Sequence, residues 1–303
     1  MVGLGLHRPM RAEELEPLAE FSPVQHDPDD CVPTVTVDGI PGSVGRPIAE
    51  APWSVGVGVG ELHQYAGISG GHKAVAVGCG GRETIAALHH RDRVQAPGIE
   101  VGRVEGNPFR AAVDALGRAA RCRLALLYLP VLDLWLAGDP TSVVTEAVGR
   151  LTPWTWVGAP AAGAVVQVQG PKAVSLYQAS RAATYLALSP APPLVPGATI
   201  IIEAACPEGL GSEAGFRRAL ESGPPPWTHL LTGPPPTGAG SQRAVMLALL
   251  ATRYRVVVHG AVNPAPLRAV GIEVSTEPAP RDPTWLQVPH PFQSLPQWAD
   301  GPA

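Results

Sequence analysis

The second half of the chain alternates between two patterns of hydrophobic residues. Short uninterrupted apolar runs are typical of strands buried on both faces, whereas apolar residues at every third or fourth position are typical of helices. The apolar runs are Cys122–Leu132, Ala161–Gly170, Gly197–Cys206 and Tyr254–Gly260, and the helical stretches are Ser175–Leu188, Gly215–Ser222 and Ser241–Thr252. Strands that alternate with helices predict an α/β fold with a Rossmann-like parallel sheet flanked by helices.

The first hundred residues carry fewer long apolar runs. Apolar spacing with polar faces predicts a helix over Arg11–Phe21, and alternation predicts a strand over Trp53–Gly60. The stretch Gly81–His90 is typical of a helix entered from a glycine loop. The segments predicted to be irregular, because they are rich in proline, are Ser189–Gly197, Ser222–Gly240 and the tail from Pro278.

The change of pattern near the middle of the chain predicts two lobes. We expect the boundary between Ile99 and Ala164, which gives a first lobe over 1–100, a connecting or hinge segment over 101–154 and a second lobe over 155–303. A cleft between two lobes is a common place for a ligand, and we expect the active site there.

Composition excludes several classes of partner. Of the 303 residues 45% are hydrophobic, which is enough for a sizeable core, and only 16% are charged, with a net charge of −4. That balance argues against a nucleic-acid partner. The longest apolar run, Leu124–Leu132, is too short to cross a bilayer, and the first residues lack a signal-peptide pattern, so we expect a cytoplasmic protein with no membrane partner. The four cysteines form no CxxC pair and are expected to be reduced thiols.

The stretch from Glu61 to His90 gathers four of the nine histidines, a lysine and six glycines. A single histidine is usually a surface or structural residue, but this clustering favours a functional role for His63 and His89. Gly70 and Gly71 would let the backbone approach a planar or phosphorylated ligand. Lys73 directly beyond them could pair with a phosphate or link covalently to a cofactor.

A metal is a further candidate ligand of this stretch. His89 follows Lys73 by sixteen residues on a predicted helix, and neutral imidazole suits nickel, copper or zinc. One imidazole is too few for a site built from protein alone, so a cofactor would supply the other ligands. A metal hydrolase that uses His63, His89 and Glu83 is an alternative, although zinc hydrolases usually carry closer ligand pairs such as HExxH.

The motif HQYAGISGGHKAVAVG, followed by a helix that ends in a histidine, resembles the nickel-pincer-dependent lactate racemase family. Members share H-x-(F/Y)-A-G-x-S-G-G-x-K-x(4)-G at this point. Four more segments resemble family segments in the same order, from His7 to about Gly271: GLHRPM, EGNPFR, SLYQASRA and IIIEAACPEGLGSEAGF. Several collinear motifs make the resemblance far more specific than any one of them.

The resemblance implies a role for each matching residue. Lys73 would carry a covalent pyridinium-derived mononucleotide with two sulfur donors, the nickel-pincer nucleotide, and His89 would bind its nickel(II). His7 and His63 would be the two general bases, one on each side of a 2-hydroxy acid substrate. Gly70 and Gly71 would border the cofactor. The residues that match the family's substrate- or cofactor-contacting helix are Tyr177, Gln178 and Arg181.

The implied reaction is racemisation by hydride transfer. The α-hydride of the 2-hydroxy acid would move to the cofactor and return to the other face of a transient 2-keto acid. The implied partners are a small 2-hydroxy acid and the proteins that make the cofactor. Residues 1–100 would then be the remainder of the family's cofactor-binding N-terminal domain.

The chain also departs from the family pattern. A family D-D-x-T-R segment that precedes G-T-H-R-P-M has no equivalent here, so we expect an N-terminally shortened member, a start further upstream or a second polypeptide that supplies this part. Ala173 and Ser175 stand where the family usually has Asp and Asn. These departures keep open a non-catalytic relative that binds the cofactor or a nucleotide without turnover.

Overall fold

The computed structural model describes residues 1–151, 154–277, 279–280 and 282–298. The chain forms two compact units, unit 1 (Met1–Leu151) and unit 2 (Thr152–Ala303). The predicted division into 1–100, 101–154 and 155–303 stays a prediction, because compactness alone does not identify a hinge. The predicted cleft between lobes stays a prediction as well.

Unit 1 is built from short strands and helices. Its strands are β1 (Cys31–Val37), β2 (Ile40–Gly45), β3 (Ser54–Val59), β4 (Leu62–His63), β5 (Gly67–Ile68), β6 (Cys122–Leu129) and β7 (Leu134–Gly138). Its α-helices are α1 (Ala12–Leu15), α2 (Arg46–Glu50), α3 (Lys73–Ala76), α4 (Arg82–Leu88), α5 (Arg91–Val94), α6 (Pro108–Ala119) and α7 (Pro140–Arg150), and its 3₁₀ turns are Glu16–Phe21 and Pro130–Leu132.

Strand β6 is the centre of unit 1. It runs parallel to β3 and antiparallel to β7. Its residues Ala125, Leu127 and Leu129 are fully buried, while α7 packs against β6 and α3 packs against α6. Two parallel strands need a long crossover connection, and here the connection between β3 and β6 contains the whole stretch from Glu61 to His90.

Unit 2 contains the longer strands and helices. Its strands are β8 (Trp154–Trp156), β9 (Ala161–Gln167), β10 (Leu194–Glu203), β11 (Arg255–His259), β12 (Glu273–Ser275), β13 (Trp285–Val288) and β14 (Pro296–Trp298). Its α-helices are α8 (Leu176–Ala187), α9 (Ala214–Glu221), α10 (His229–Thr232), α11 (Ser241–Ala251) and α12 (Ala265–Ala269), with a 3₁₀ turn at Gly170–Ala173.

The core of unit 2 is a parallel sheet. Across the described residues it has five strands in the order β12-β11-β10-β9-β13, and every neighbouring pair is parallel. The central strand β10 buries Ile200 and Ile202 completely, and α8 packs against it. The predicted Rossmann-like parallel sheet flanked by helices is therefore confirmed. Strands that are apolar on both faces need helices to cover both faces of the sheet.

Several local predictions are wrong. The stretch predicted as one helix over Arg11–Phe21 is a single α-turn, α1, followed by a 3₁₀ turn, since Pro17 interrupts the α-helical hydrogen bonding. The tail from Pro278 is not irregular throughout: β13 pairs with β9 and completes the sheet. The proline-rich segments also contain structure, since β10 begins at Leu194 and α10 begins at His229.

Two further observations concern helix length and the cysteines. Within the described ranges, no helix has both the length and the apolar character needed to cross a membrane. Cys31, Cys79, Cys122 and Cys206 are all unpaired. Burial raises the pKa of the Cys79 and Cys206 thiols to about 11, so both stay protonated thiols at neutral pH.

Candidate functional site

His63 ends β4 and is held by the turn that follows it. Strands β4 and β5 pair antiparallel, with His63 opposite Gly67. The Nδ1 atom of His63 accepts hydrogen bonds from the backbone N–H groups of Tyr65, at 3.2 Å, and Ala66, at 3.1 Å. A neutral imidazole whose Nδ1 is an acceptor carries its proton on Nε2. In this arrangement His63 therefore presents Nε2–H to its surroundings.

His89 is held in the opposite sense. It is the C-terminal cap of α4, and its Nδ1 lies 2.9 Å from the backbone oxygen of Ile85. Because a carbonyl oxygen can only accept, Nδ1–H donates and the lone pair of the neutral ring is on Nε2. Metal-binding histidines commonly donate their second ring nitrogen to a backbone carbonyl in this way.

His63 and His89 lie around the same two aromatic rings, those of Tyr65 and Phe109. The ring centroid of Phe109 is 6.5 Å from that of His63 and 5.3 Å from that of His89. The ring centroid of Tyr65 is 5.7 Å from each histidine ring, with edge-to-face geometry. The structure thus brings two of the predicted site residues together on one apolar surface.

Lys73 begins α3 directly after the glycine pair. Its backbone N–H donates to the Gly70 oxygen at 3.3 Å, and its side chain is half-buried. Gly70 and Gly71 both have positive φ, at 88° and 59°. A Cβ on Gly70 would lie 2.2 Å from Leu127, so the glycine allows this loop to pack closely on β6. Any contact of these glycines with a cofactor stays a prediction.

His7 lies in an exposed turn that is tied to the end of α3. The backbone N–H of Gly5 donates to the Gly78 oxygen at 2.9 Å, and the N–H of His7 itself donates to the Leu4 oxygen. Gly78 lies five residues beyond Lys73. The sequence placed His7 far from this region, and the fold brings its turn to the helix that begins with Lys73.

His72 and His90, the other two histidines of the stretch from Glu61 to His90, differ from each other. His72 is only 1% exposed, and its Nδ1 lies 3.2 Å from Asp114 Oδ1, which makes it a structural residue of the core. His90 is exposed and caps α5 by accepting from the Asp92 N–H at 3.4 Å. Within the described part of the chain, no three His, Cys, Asp or Glu side chains are placed to hold a metal ion together.

Tyr177, Gln178 and Arg181 lie on α8 in unit 2. The Arg181 guanidinium lies over the Tyr177 ring, 5.3 Å from its centroid, and Tyr177 is buried. The Gln178 N–H is 3.4 Å from Ser175 Oγ, which caps the helix. Ser175 therefore fills the capping role that an asparagine would have at this position.

Comparisons with known proteins find similarity to lactate racemases. A model of the lactate racemase N-terminal domain matches residues 1–102. The chain is 26% identical to a lactate racemase of Thermoanaerobacterium thermosaccharolyticum over 243 residues, 74% of this chain, and 29% identical to one of Lactiplantibacillus plantarum over 143 residues, 44% of this chain. The chain is therefore similar to lactate racemases over most of its length.

Two solved structures share the fold of this chain. The lactate racemase apoprotein from T. thermosaccharolyticum superposes with a TM-score of 0.80 at 19% identity, over 97% of this chain and 77% of that one. A Thermotoga maritima protein gives a TM-score of 0.69 at 16% identity, over 97% of this chain and 84% of that one. At such identities the superpositions establish the fold. The matched regions span 56% and 33% of the two lactate racemases compared by sequence.

The segment EGNPFR has contacts that sequence reasoning missed. Its Asn107 and Arg110 donate to backbone oxygens of residues 65–70, and its Phe109 packs between His63 and His89. The sequence signal for a buried Arg110 was its place in the first turn of a helix, with apolar residues on both sides of it. That pattern is also typical of an exposed arginine, so only the fold separates the two cases.

Proposed function

We propose that the protein is a lactate racemase-like isomerase that inverts the stereocentre of a 2-hydroxy acid with a nickel-pincer nucleotide. The observation that carries the proposal is the opposite orientation of His63 and His89 around Tyr65 and Phe109. One ring carries its proton on Nε2 and the other carries a lone pair there, which are the properties needed to contact a substrate oxygen and a metal, respectively.

The donor set fits this cofactor. His89 offers one imidazole, and a nickel ion bound there would complete its coordination with the carbon and sulfur donors of the cofactor itself. Lys73, half-buried at the start of α3, would hold the nucleotide through its amine. When bound, the group supplies an acceptor for the α-hydride of the substrate. The proteins that build the cofactor would be partners of this chain.

His63 and His7 would move the hydroxyl proton, one for each enantiomer. His63 presents Nε2–H, so it can first hold a substrate oxygen by donating a hydrogen bond. To accept a proton at Nε2, the ring must first lose the proton it carries there and take one up at Nδ1, for example by exchange with water, which requires that Nδ1 no longer accepts from the Tyr65 and Ala66 N–H groups. We expect the ring of His63 to rotate away from these two N–H groups when substrate binds, while the turn itself stays in place. The half-buried walls around His63 would limit water at the reacting carbon.

The decisive experiment uses the two lysines of the chain, Lys73 and Lys172. After co-expression with the cofactor-making proteins, intact mass should show one covalent adduct in the parent chain and in Lys172→Arg, but none in Lys73→Arg. Lys172 is a matched control because it lies over the Phe292 ring in unit 2, 5.1 Å from the centroid. Chiral chromatography of lactate and related 2-hydroxy acids should then show racemisation by the two adduct-bearing forms.

The outcomes separate the alternatives. No adduct and no bound nickel in the parent chain would overturn the proposal. An adduct with nickel but no racemisation, and no exchange of the α-hydrogen, would make the protein a cofactor-binding relative without turnover.

A further inference from the structure

Arg110 is a buried cation in the first turn of α6. Its side chain is 2% exposed, and its Nη1 lies 3.5 Å from Asp114 Oδ1, one turn along the helix. Burial lowers the pKa of the guanidinium and Asp114 opposes that shift, but arginine remains charged in proteins. A buried charge is costly unless its donors are all used. The hydrogen-bond partners of Arg110 therefore indicate the role of this buried charge.

Those contacts converge on a single turn of the backbone, residues 65–70. Arg110 Nε donates to the Ala66 oxygen at 3.1 Å, Nη2 donates to the Ile68 oxygen, and Nη1 donates to the Gly70 oxygen at 3.4 Å. Asn107, the cap of α6, donates through Nδ2 to the Tyr65 oxygen at 2.8 Å. Asn107 and Arg110, the clamp, thus bind four carbonyls of this turn.

The same turn carries site residues at both of its ends. The N–H groups of Tyr65 and Ala66 fix Nδ1 of His63, and the Gly70 oxygen accepts from the N–H of Lys73. A displacement of the turn would therefore alter the tautomer and orientation of His63 and the start of α3 together.

Asp114 connects the clamp to the residue before Lys73. Its Oδ1 lies 3.2 Å from His72 Nδ1 as well as 3.5 Å from Arg110. One carboxylate thus balances the guanidinium and accepts from a buried histidine whose chain neighbour is Lys73. These contacts link α6 to the glycine loop at a second point.

We propose that the clamp, Asn107 and Arg110, positions His63 and Lys73 for the reaction by fixing the turn at residues 65–70. The proposal rests on the proposed function for its kinetic consequence, but the geometry of His63 can be measured without any activity. The guanidinium presents a planar fork of donors, and lysine has one ammonium at a single point, so lysine cannot reach three carbonyls spread along a turn.

The test compares Arg110→Lys with Arg118→Lys, an exposed arginine on the same helix. Imidazole ¹⁵N NMR of the cofactor-free chain should show His63 as the Nε2–H tautomer in the parent and in Arg118→Lys. In Arg110→Lys the ring should become a mixture of tautomers. In the cofactor-loaded chain, Arg110→Lys should keep the Lys73 adduct and lose about 100-fold in kcat, since a misplacement of about 1 Å can cost that much, while KM changes little.

A second variant covers the case in which Arg110→Lys does not fold. Asn107→Asp keeps an oxygen that caps α6 but removes the donor to Tyr65, and the same shift of the His63 tautomer is expected. A variant that unfolds at lower temperature with an unchanged His63 tautomer and an unchanged kcat would show a merely structural role and overturn the proposal. If the parent chain shows no racemisation, the proposed function fails, and the tautomer of His63 still decides the role of the clamp.

Discussion

At the scale of single residues, Gly70 is a position where the packing leaves little room for a side chain. It has a φ of 88°, and a Cβ there would lie 2.2 Å from Leu127 Cδ1, on the buried face of β6. Gly58 on β3 is the opposite case, because a Cβ there would meet no atom within 4 Å.

We therefore expect Gly70→Ala to lower the free energy of unfolding by about 2–4 kcal/mol, the sum of left-handed strain and overpacking. Gly58→Ala is the matched control and should change it by less than about 1 kcal/mol, since alanine has the better strand propensity and the space is open. Urea denaturation measures both. Equal values for the two variants would show that the loop can move away from Leu127.

Part of the candidate site could be predicted from the sequence, because His63, Lys73 and His89 fall within one short stretch. The tautomers of the two histidines could not be predicted, since they depend on the backbone oxygen of Ile85 and on the N–H groups of a turn. Arg110 was missed because burial is a property of the packed molecule, and its three acceptors are carbonyls that any residue would offer.

At the scale of elements, α7 begins with a charged cap. Asp139 Oδ1 accepts from the N–H groups of Thr141, at 3.1 Å, and Ser142, at 2.9 Å. The bond from Ser142 is the largest reason why the pKa of Asp139 is lowered. Pro140 follows at the first helical position, where its missing N–H costs nothing.

Asp139→Ala should destabilise the protein by about 1 kcal/mol, because it leaves two N–H groups of α7 without their acceptor. Asp139→Asn keeps an oxygen cap and should lower the free energy of unfolding by only about 0.3 kcal/mol. Chemical denaturation at neutral pH compares the two. Similar losses for Ala and Asn would indicate that the charge, and not the hydrogen bonding, stabilises this end of α7.

Helices and strands with strong periodicity were predictable, as α8, α11 and β11 illustrate. Strand β13 was not, because the prolines around it suggested an irregular tail. Its pairing with β9 depends on an edge that exists only after β9 to β12 have assembled. Such long-range pairing has no signal in the local sequence.

At the scale of the whole molecule, the N-terminal segment is joined to the rest of unit 1 through His26. The His26 N–H donates to the Val2 oxygen at 3.0 Å, and its Nε2–H donates to the Gly80 oxygen at 2.9 Å. Its Nδ1 is buried and has no hydrogen-bond partner among the described residues. A second proton on this ring would therefore lack an acceptor, and burial lowers the pKa of His26 below 6.5.

The stability of unit 1 should consequently fall in mild acid. Because the folded pKa of His26 lies below the unfolded value of 6.5, the unfolded chain takes up the proton first as the pH falls. The free energy of unfolding should decrease below about pH 6.5, by at most about 1.4 kcal/mol per pH unit for this group.

His26→Gln can keep the donor to Gly80 without a group that titrates near neutral pH. Between about pH 5 and 7, where imidazole titrates, the unfolding free energy of His26→Gln should vary less than that of the parent protein. The other histidines are the same in both proteins and contribute equally. Parallel pH profiles for the two proteins would show that His26 is not the group responsible.

The fold class, an α/β protein with a parallel sheet, was predictable from the sequence. Strands that are apolar on both faces need helices to cover them, and the sequence alternates between such strands and helices. The extent of the two compact units was not predictable, since the sequence of 101–154 continues the pattern of both neighbours. Strand β6 and helix α7 belong to unit 1 through their packing, which only the assembled core determines.

The bonds from α6 to the turn at residues 65–70 also bear on how unit 1 folds. They join residues 40 to 44 positions apart in sequence, so no local fluctuation of the stretch 61–90 can form them. Contacts of this kind form only after the intervening chain has lost most of its entropy. During synthesis, His63 and Lys73 would leave the ribosome well before the helix that sets their turn. We therefore expect the turn at residues 65–70 to take its final shape only when α6 docks.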